Sequence, residues 1–199
     1  MLAETRTGLI TASDNTISPI RADKTGATVV TDGHPRYFEE GRLGLTFSAA
    51  NPAAQAVSVA LATTYTGILL YNPLGSGKML VPTKVKFALS VAPAAIATIG
   101  LIRGVQTAAP TGTTALTVQS SQIGNASIGV GLVYSAATIA TPTWAFQLWD
   151  GFTAAVLPAP QSPVDLEGIF QILPGGFLAI GALTAVTGLG SIVWVELPL

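Results

Sequence analysis

Val57-Ser58-Val59-Ala60-Leu61, Gly67-Ile68-Leu69-Leu70-Tyr71, Asn72-Pro73-Leu74-Gly75-Ser76-Gly77 and then Met79 through Val91 form the stretch from which the fold is read. Its last part alternates: Val85, Phe87, Leu89 and Val91 fall on one side, and Lys84, Lys86, Ala88 and Ser90 on the other. Side chains on a strand change face with every residue, so this is a strand with one buried face and one wetter face. Asn-Pro followed by Gly-Ser-Gly separates it from the preceding apolar run. Proline presets φ and glycine supplies positive φ, so this segment is a turn and the whole reads as a β-hairpin.

The same texture continues outward on both sides. Leu43 to Ala49 opens the β-rich part, and Ala97 to Arg103 resumes as a strand after Pro93. Ala115-Leu116-Thr117-Val118 follows a loop over residues 107–114, and 128–140 is a β-prone run interrupted by Gly129 and Gly131. In Thr143 to Trp149 the alternation sets Trp144, Phe146 and Leu148 on one face, and Asp150-Gly151 marks a turn. Val164 to Ile172 alternates again, with Val164, Leu166, Phe170 and Ile172 together. Phe177 to Ile180 and Ile192 to Leu197 close the chain as a glycine-turned hairpin. Many short strands, frequent Gly/Pro turns and no amphipathic helix predict an all-β protein: an antiparallel β-sandwich, jelly-roll-like in its number of strands. No fixed-period repeat argues for a propeller or a β-helix.

Charge divides the chain. Charged residues are only 10% of 199, with a net charge of −1. Residues 1–42 hold Glu4, Arg6, Asp14, Arg21, Asp23, Lys24, Asp32, Arg36, Glu39, Glu40 and Arg42, whereas residues 43–199 hold only Lys78, Lys84, Lys86, Arg103, Asp150, Asp165, Glu167 and Glu196. This predicts an extended N-terminal arm, 1–42, and a β-sandwich body, 43–199. A surface so poor in charge favours a protein assembled with other chains. Without cysteine there is no disulfide or thiolate metal site, and a single His argues against zinc. The near-neutral charge leaves no footprint for nucleic acid. Residues 1–6 lack the apolar core of a signal peptide, and the uncharged run 177–195 carries too many glycines for a transmembrane helix, so no membrane partner is expected.

Gly75-Ser76-Gly77-Lys78 looks like the end of a phosphate loop, but Asn72 and Met79 stand where Gly and Ser/Thr are required. His34 precedes Pro35 far from any nucleophile motif. Asp165 and Glu167 share a strand face rather than flanking a cleft. Trp144, Trp149, Tyr134 and Phe152 suit a sugar platform less well than core and interface packing. The chain reads as no enzyme, with no catalytic residue, cofactor or metal ligand. The candidate contact residues lie in the arm: Arg36, Tyr37, Phe38 and Arg42, the residue types that dominate interfaces.

Several segments together resemble the small structural proteins of tailed bacteriophages. They are His34-Pro35-Arg36-Tyr37-Phe38-Glu39-Glu40-Gly41-Arg42, Phe47-Ser48-Ala49-Ala50-Asn51, Ala62 to Gly67, Asn72 to Lys78, Leu173-Pro174-Gly175-Gly176 and Trp194-Val195-Glu196. The match departs at Leu43-Gly44, where the family has Gly and a polar residue after the arginine. The resemblance implies a virion component on the capsid surface, a decoration (cement) protein that binds the major capsid protein and forms a homotrimer. The alternative is a host-recognition fibre or adhesin module that binds a cell-surface receptor or glycan.

Overall fold

The computed structural model describes residues 5–6, 20–21, 37–59, 61–152 and 162–199. The chain separates into two compact units, Met1–Phe38 and Glu39–Leu199, so the division falls four residues before the charge boundary at 42. In the first unit, β1 (Thr5–Arg6) and β2 (Ile20–Arg21) pair in parallel. Most of the expected N-terminal arm lies outside the described residues. A short helix, α1 (Phe38–Arg42), leads into the second unit.

The second unit is an antiparallel β-sandwich. Its strands are β3 (Thr46–Ala50), β4 (Gln55–Val57), β5 (Thr64–Tyr71), β6 (Lys78–Leu89), β7 (Ala97–Val105), β8 (Thr111–Ala115), β9 (Gln119–Ser120), β10 (Leu132–Thr138), β11 (Thr143–Phe152), β12 (Val164–Asp165), β13 (Gly176–Ala182) and β14 (Val186–Pro198). One sheet runs β11-β7-β13-β5-β10-β8 and the other β12-β6-β14-β3-β9, with β4 added beside β14. The core lies between them. Ile68, Leu70, Ile99, Leu101, Leu178 and Ile180 from the first sheet meet Phe47, Val85, Phe87, Ile192 and Trp194 from the second. These are the alternate residues of their strands, as the period of two requires.

The hairpin reading of the deciding stretch is overturned. β5 and β6 are consecutive, but they belong to opposite sheets. Asn72–Gly77 is therefore an arch that carries the chain across the core. The fully buried Asn72 side chain holds it: Nδ2 donates to the carbonyls of Lys78 and Ile172, both at 2.8 Å, and Oδ1 accepts from Ser76 Oγ at 2.7 Å. The hairpin expected over 177–197 fails in the same way, because β13 and β14 also sit in different sheets. β6 and β14 instead pair with each other along almost their whole length. Both pairs of consecutive strands bury their facing residues in one core, which two strands of one sheet would also do. Periodicity alone does not separate the two arrangements.

Smaller differences have local causes. The strand expected over 115–118 sits earlier, at β8, in a segment read as loop. β11 continues through Asp150-Gly151, which is no turn, and its pairing with β7 slips register three times. Those bulges break the shared face expected of Trp144, Phe146 and Leu148: Trp144 packs on the outer side of its sheet, and Leu148 against the core. Residues 164–172 are not one strand. Val164, Leu166, Phe170 and Ile172 do share the core, but a turn joins them, closed by Ile169 N–H to the Leu166 carbonyl at 2.9 Å, with Glu167 at φ 50°.

The apolar run Ile68-Leu69-Leu70-Tyr71 is continuous because both faces of its sheet are buried. Tyr65, Leu69, Tyr71, Ile102, Phe177 and Ala179 make a second cluster on the far face. Phe177 lies across Gly104, where an added Cβ would stand 2.5 Å from its ring.

Candidate partner-contact surface

Arg36 lies outside the described residues. Tyr37 sits in the left-handed region at φ 65°, just ahead of α1. Phe38 opens the helix with 43% of its surface exposed. Arg42 ends it, with Nε donating to Glu39 Oε2 at 2.8 Å and both side chains about half exposed. Such surface pairs contribute a few tenths of a kcal/mol. The last turn is tied down through its backbone, since Gln122 Nε2 donates to the Arg42 carbonyl at 2.6 Å. Residues 38–42 are thus helical rather than extended. Acidic residues in the first turn and a basic one in the last suit the helix dipole.

Aliphatic side chains project from both ends of the sandwich. At the end where β7 begins and β13 stops, Val91, Ile96 and Leu183 are exposed. Their loops are fastened together by Thr184 Oγ1 to the Ile96 carbonyl at 2.8 Å and Leu183 N–H to the Thr98 carbonyl at 3.1 Å. At the opposite end, Val105 is 70% exposed, Ile169 67% and Leu173 54%. There an open groove of about 880 Å³ runs between the end of β7, the start of β13 and residues 169–174. Phe170 forms one wall and is braced edge-on by Phe146, centroids 6.3 Å apart. Among the described residues of the lining Arg103 is the one that carries a charge, and it is exposed.

Among the described residues one acid is buried. Glu196 is 2% exposed. Its Oε1 accepts from Val130 N–H and Gly131 N–H, both at 2.9 Å, and from Trp194 Nε1 at 3.2 Å, while Oε2 lies 3.0 Å from Val130 N. Successive backbone N–H groups with a left-handed residue beside them form an anion-holding concavity. Gly129, at φ 66°, is that residue, and a Cβ there would stand 2.5 Å from Glu196 Oε1. The cradle pins the end of the long β9–β10 loop onto β14. Sequence reasoning passed over it. Its signal was a lone acid in the apolar run Trp194-Val195-Glu196-Leu197, matched with Gly129-Val130-Gly131.

The other residues weighed from sequence do not converge. Lys84 Nζ pairs with Asp165 at 3.3 Å on the surface, and Glu167 stands in the turn beyond. Trp144 and Tyr134 pack on the outer cluster and Trp149 on the core. His34 and the side chain of Phe152 lie outside the described residues. Among the described residues no group of three His, Cys, Asp or Glu side chains is placed to hold a metal, and no helix is long and apolar enough to cross a membrane. Comparison with protein-family models, curated proteins and solved structures returns no match.

Proposed function

We propose that this chain is a virion structural protein, a capsid decoration protein that binds and stabilises a phage head shell through its major capsid protein. One observation carries the reading. A β-sandwich with very few charges leaves aliphatic side chains exposed at both ends, at Val91, Ile96 and Leu183 and again at Val105, Ile169 and Leu173. Burial against neighbouring chains removes such surface from water, at about 25 cal/mol per Å². The resemblance of the arm and turn segments to phage structural proteins points the same way. The finer features belong to this proposal: a jelly-roll winding, a homotrimer whose closed symmetry covers the end at Val91, Ile96 and Leu183, and an arm that reaches the shell through Arg36, Tyr37, Phe38 and Arg42. Three arms on one trimer multiply a weak contact by effective concentration.

Co-sedimentation tests this. Purified protein is spun with empty phage heads and, separately, with intact host cells. Pelleting with heads in a fixed ratio to the major capsid protein is the expected result. Pelleting with cells alone would replace the proposal with the host-recognition module.

A further inference from the structure

We infer that the groove at the β7 end of the sandwich takes an extended peptide segment of another protein, apolar in character and carrying one carboxylate. Two independent features define that occupant. The first is an open ladder position. β11 pairs with β7 only as far as Thr143 opposite Arg103, while β13 on the other side continues opposite Gly104 and Val105. Among the described residues, the last two of β7 therefore have a strand on one side only, in line with β11 and bordering the groove. An exposed sheet edge is satisfied by an added strand, whose main chain supplies the hydrogen bonds while alternate side chains enter pockets. A sugar or an acyl chain does not offer that pattern.

The second feature is the lining. Arg103 and Val105 continue the row of Ala97, Ile99 and Leu101, which face the core. That row runs past the end of the sandwich, so its last two members stand in the open. Ile169, Phe170 and Leu173 face the same space from the 169–174 segment. Among the described residues Arg103 has neither an ion pair nor a side-chain hydrogen bond, so its guanidinium is available for a fork-shaped pairing with a carboxylate. Apolar walls around one free guanidinium select an apolar strand with one Asp or Glu. This site lies on the body and does not depend on the virion reading, so its test and the sedimentation test succeed or fail separately.

The probe is a capped octapeptide of alternating Val and Thr with one central Glu, together with its Gln twin, titrated into the ¹⁵N-labelled full chain. Saturable shifts confined to the amides of Gly104, Val105, Ile169 and Leu173 are expected. The Gln twin is expected to bind about tenfold more weakly, as is the Arg103→Gln protein, and Arg103→Glu to lose binding. Lys86→Glu, at an exposed site on the other sheet, leaves binding unchanged. The inference is overturned by absence of saturable shifts at these amides up to the solubility of the peptide, or by equal binding of the twin. It is also overturned if the chain self-associates on sedimentation and Arg103→Glu abolishes that, because a second copy is then the occupant.

Discussion

At the scale of single residues, the buried polar groups are the ones whose loss is felt. Glu196→Ala leaves the N–H groups of Val130 and Gly131 and the Trp194 indole without their acceptor. Each orphaned donor costs on the order of 1 kcal/mol or more, so a loss of about 3 kcal/mol is expected in denaturant unfolding. Faster amide exchange at Val130 and Gly131 would distinguish the loosened loop from general damage. Gly129→Ala and Gly75→Ala form a matched pair. Both glycines have positive φ, 66° and 73°, but only Gly129 has a neighbour in the way, since nothing lies within 4 Å of a Cβ on Gly75. Gly75→Ala should cost about 1 kcal/mol for the left-handed backbone, and Gly129→Ala distinctly more; equal costs would show that the cradle yields. Tyr65 sets the alkaline limit. Burial raises its hydroxyl well above the ordinary 10.0. Below pH 10 both folded and unfolded chains keep the proton. Above it the unfolded chain releases its proton first, so stability falls as pH rises towards the folded value. Tyr134 is raised in the same direction, by burial first and then by Tyr71. Tyr65→Phe should flatten most of the slope in stability measured between pH 9 and about 11.

At the scale of elements, the arches separate this fold from a stack of hairpins. The Asn72 amide satisfies the carbonyls of Lys78, which opens β6, and of Ile172, ahead of β13. Asn72→Ala removes those donors and should cost about 2 kcal/mol. Asn72→Asp should be worse at neutral pH, since a buried carboxylate would then face two carbonyl oxygens. Melting temperatures in the order native, Ala, Asp are expected, and an aspartate variant as stable as alanine would mean that the arch opens to water. The alternation of β6 was legible because only one of its faces is buried. The bulges of β11 were not, because a bulge shifts register without altering composition. Val164, Leu166, Phe170 and Ile172 were correctly grouped, yet the backbone joining them turns at Glu167 and Gly168, both at positive φ. A period-two pattern records which side chains are buried together, not whether the chain between them is straight.

At the scale of the whole molecule, the chain divides between Phe38 and Glu39. Residues 39–199 hold the entire sandwich, so a chain lacking 1–38 should unfold cooperatively, as calorimetry would show, while losing most of its affinity for phage heads on co-sedimentation. Full head affinity in that chain would assign the contact to the body and away from Arg36, Tyr37 and Phe38. By itself the sequence determined that the protein is all β, which face of β6 is apolar, and that charge is concentrated before residue 43. Each of these follows from local alternation and composition, which short-range sterics and the burial of apolar surface convert directly into strands. Only the tertiary structure decided that β5 and β6 cross between sheets, that Glu196 is cradled by backbone N–H groups, and that Arg103 and Val105 stand at an open sheet edge beside a groove. Those features bring together residues as far apart as Gly131 and Glu196, or Val105 and Leu173. Such pairings are chosen by the packing of two sheets on one core, which no local pattern records.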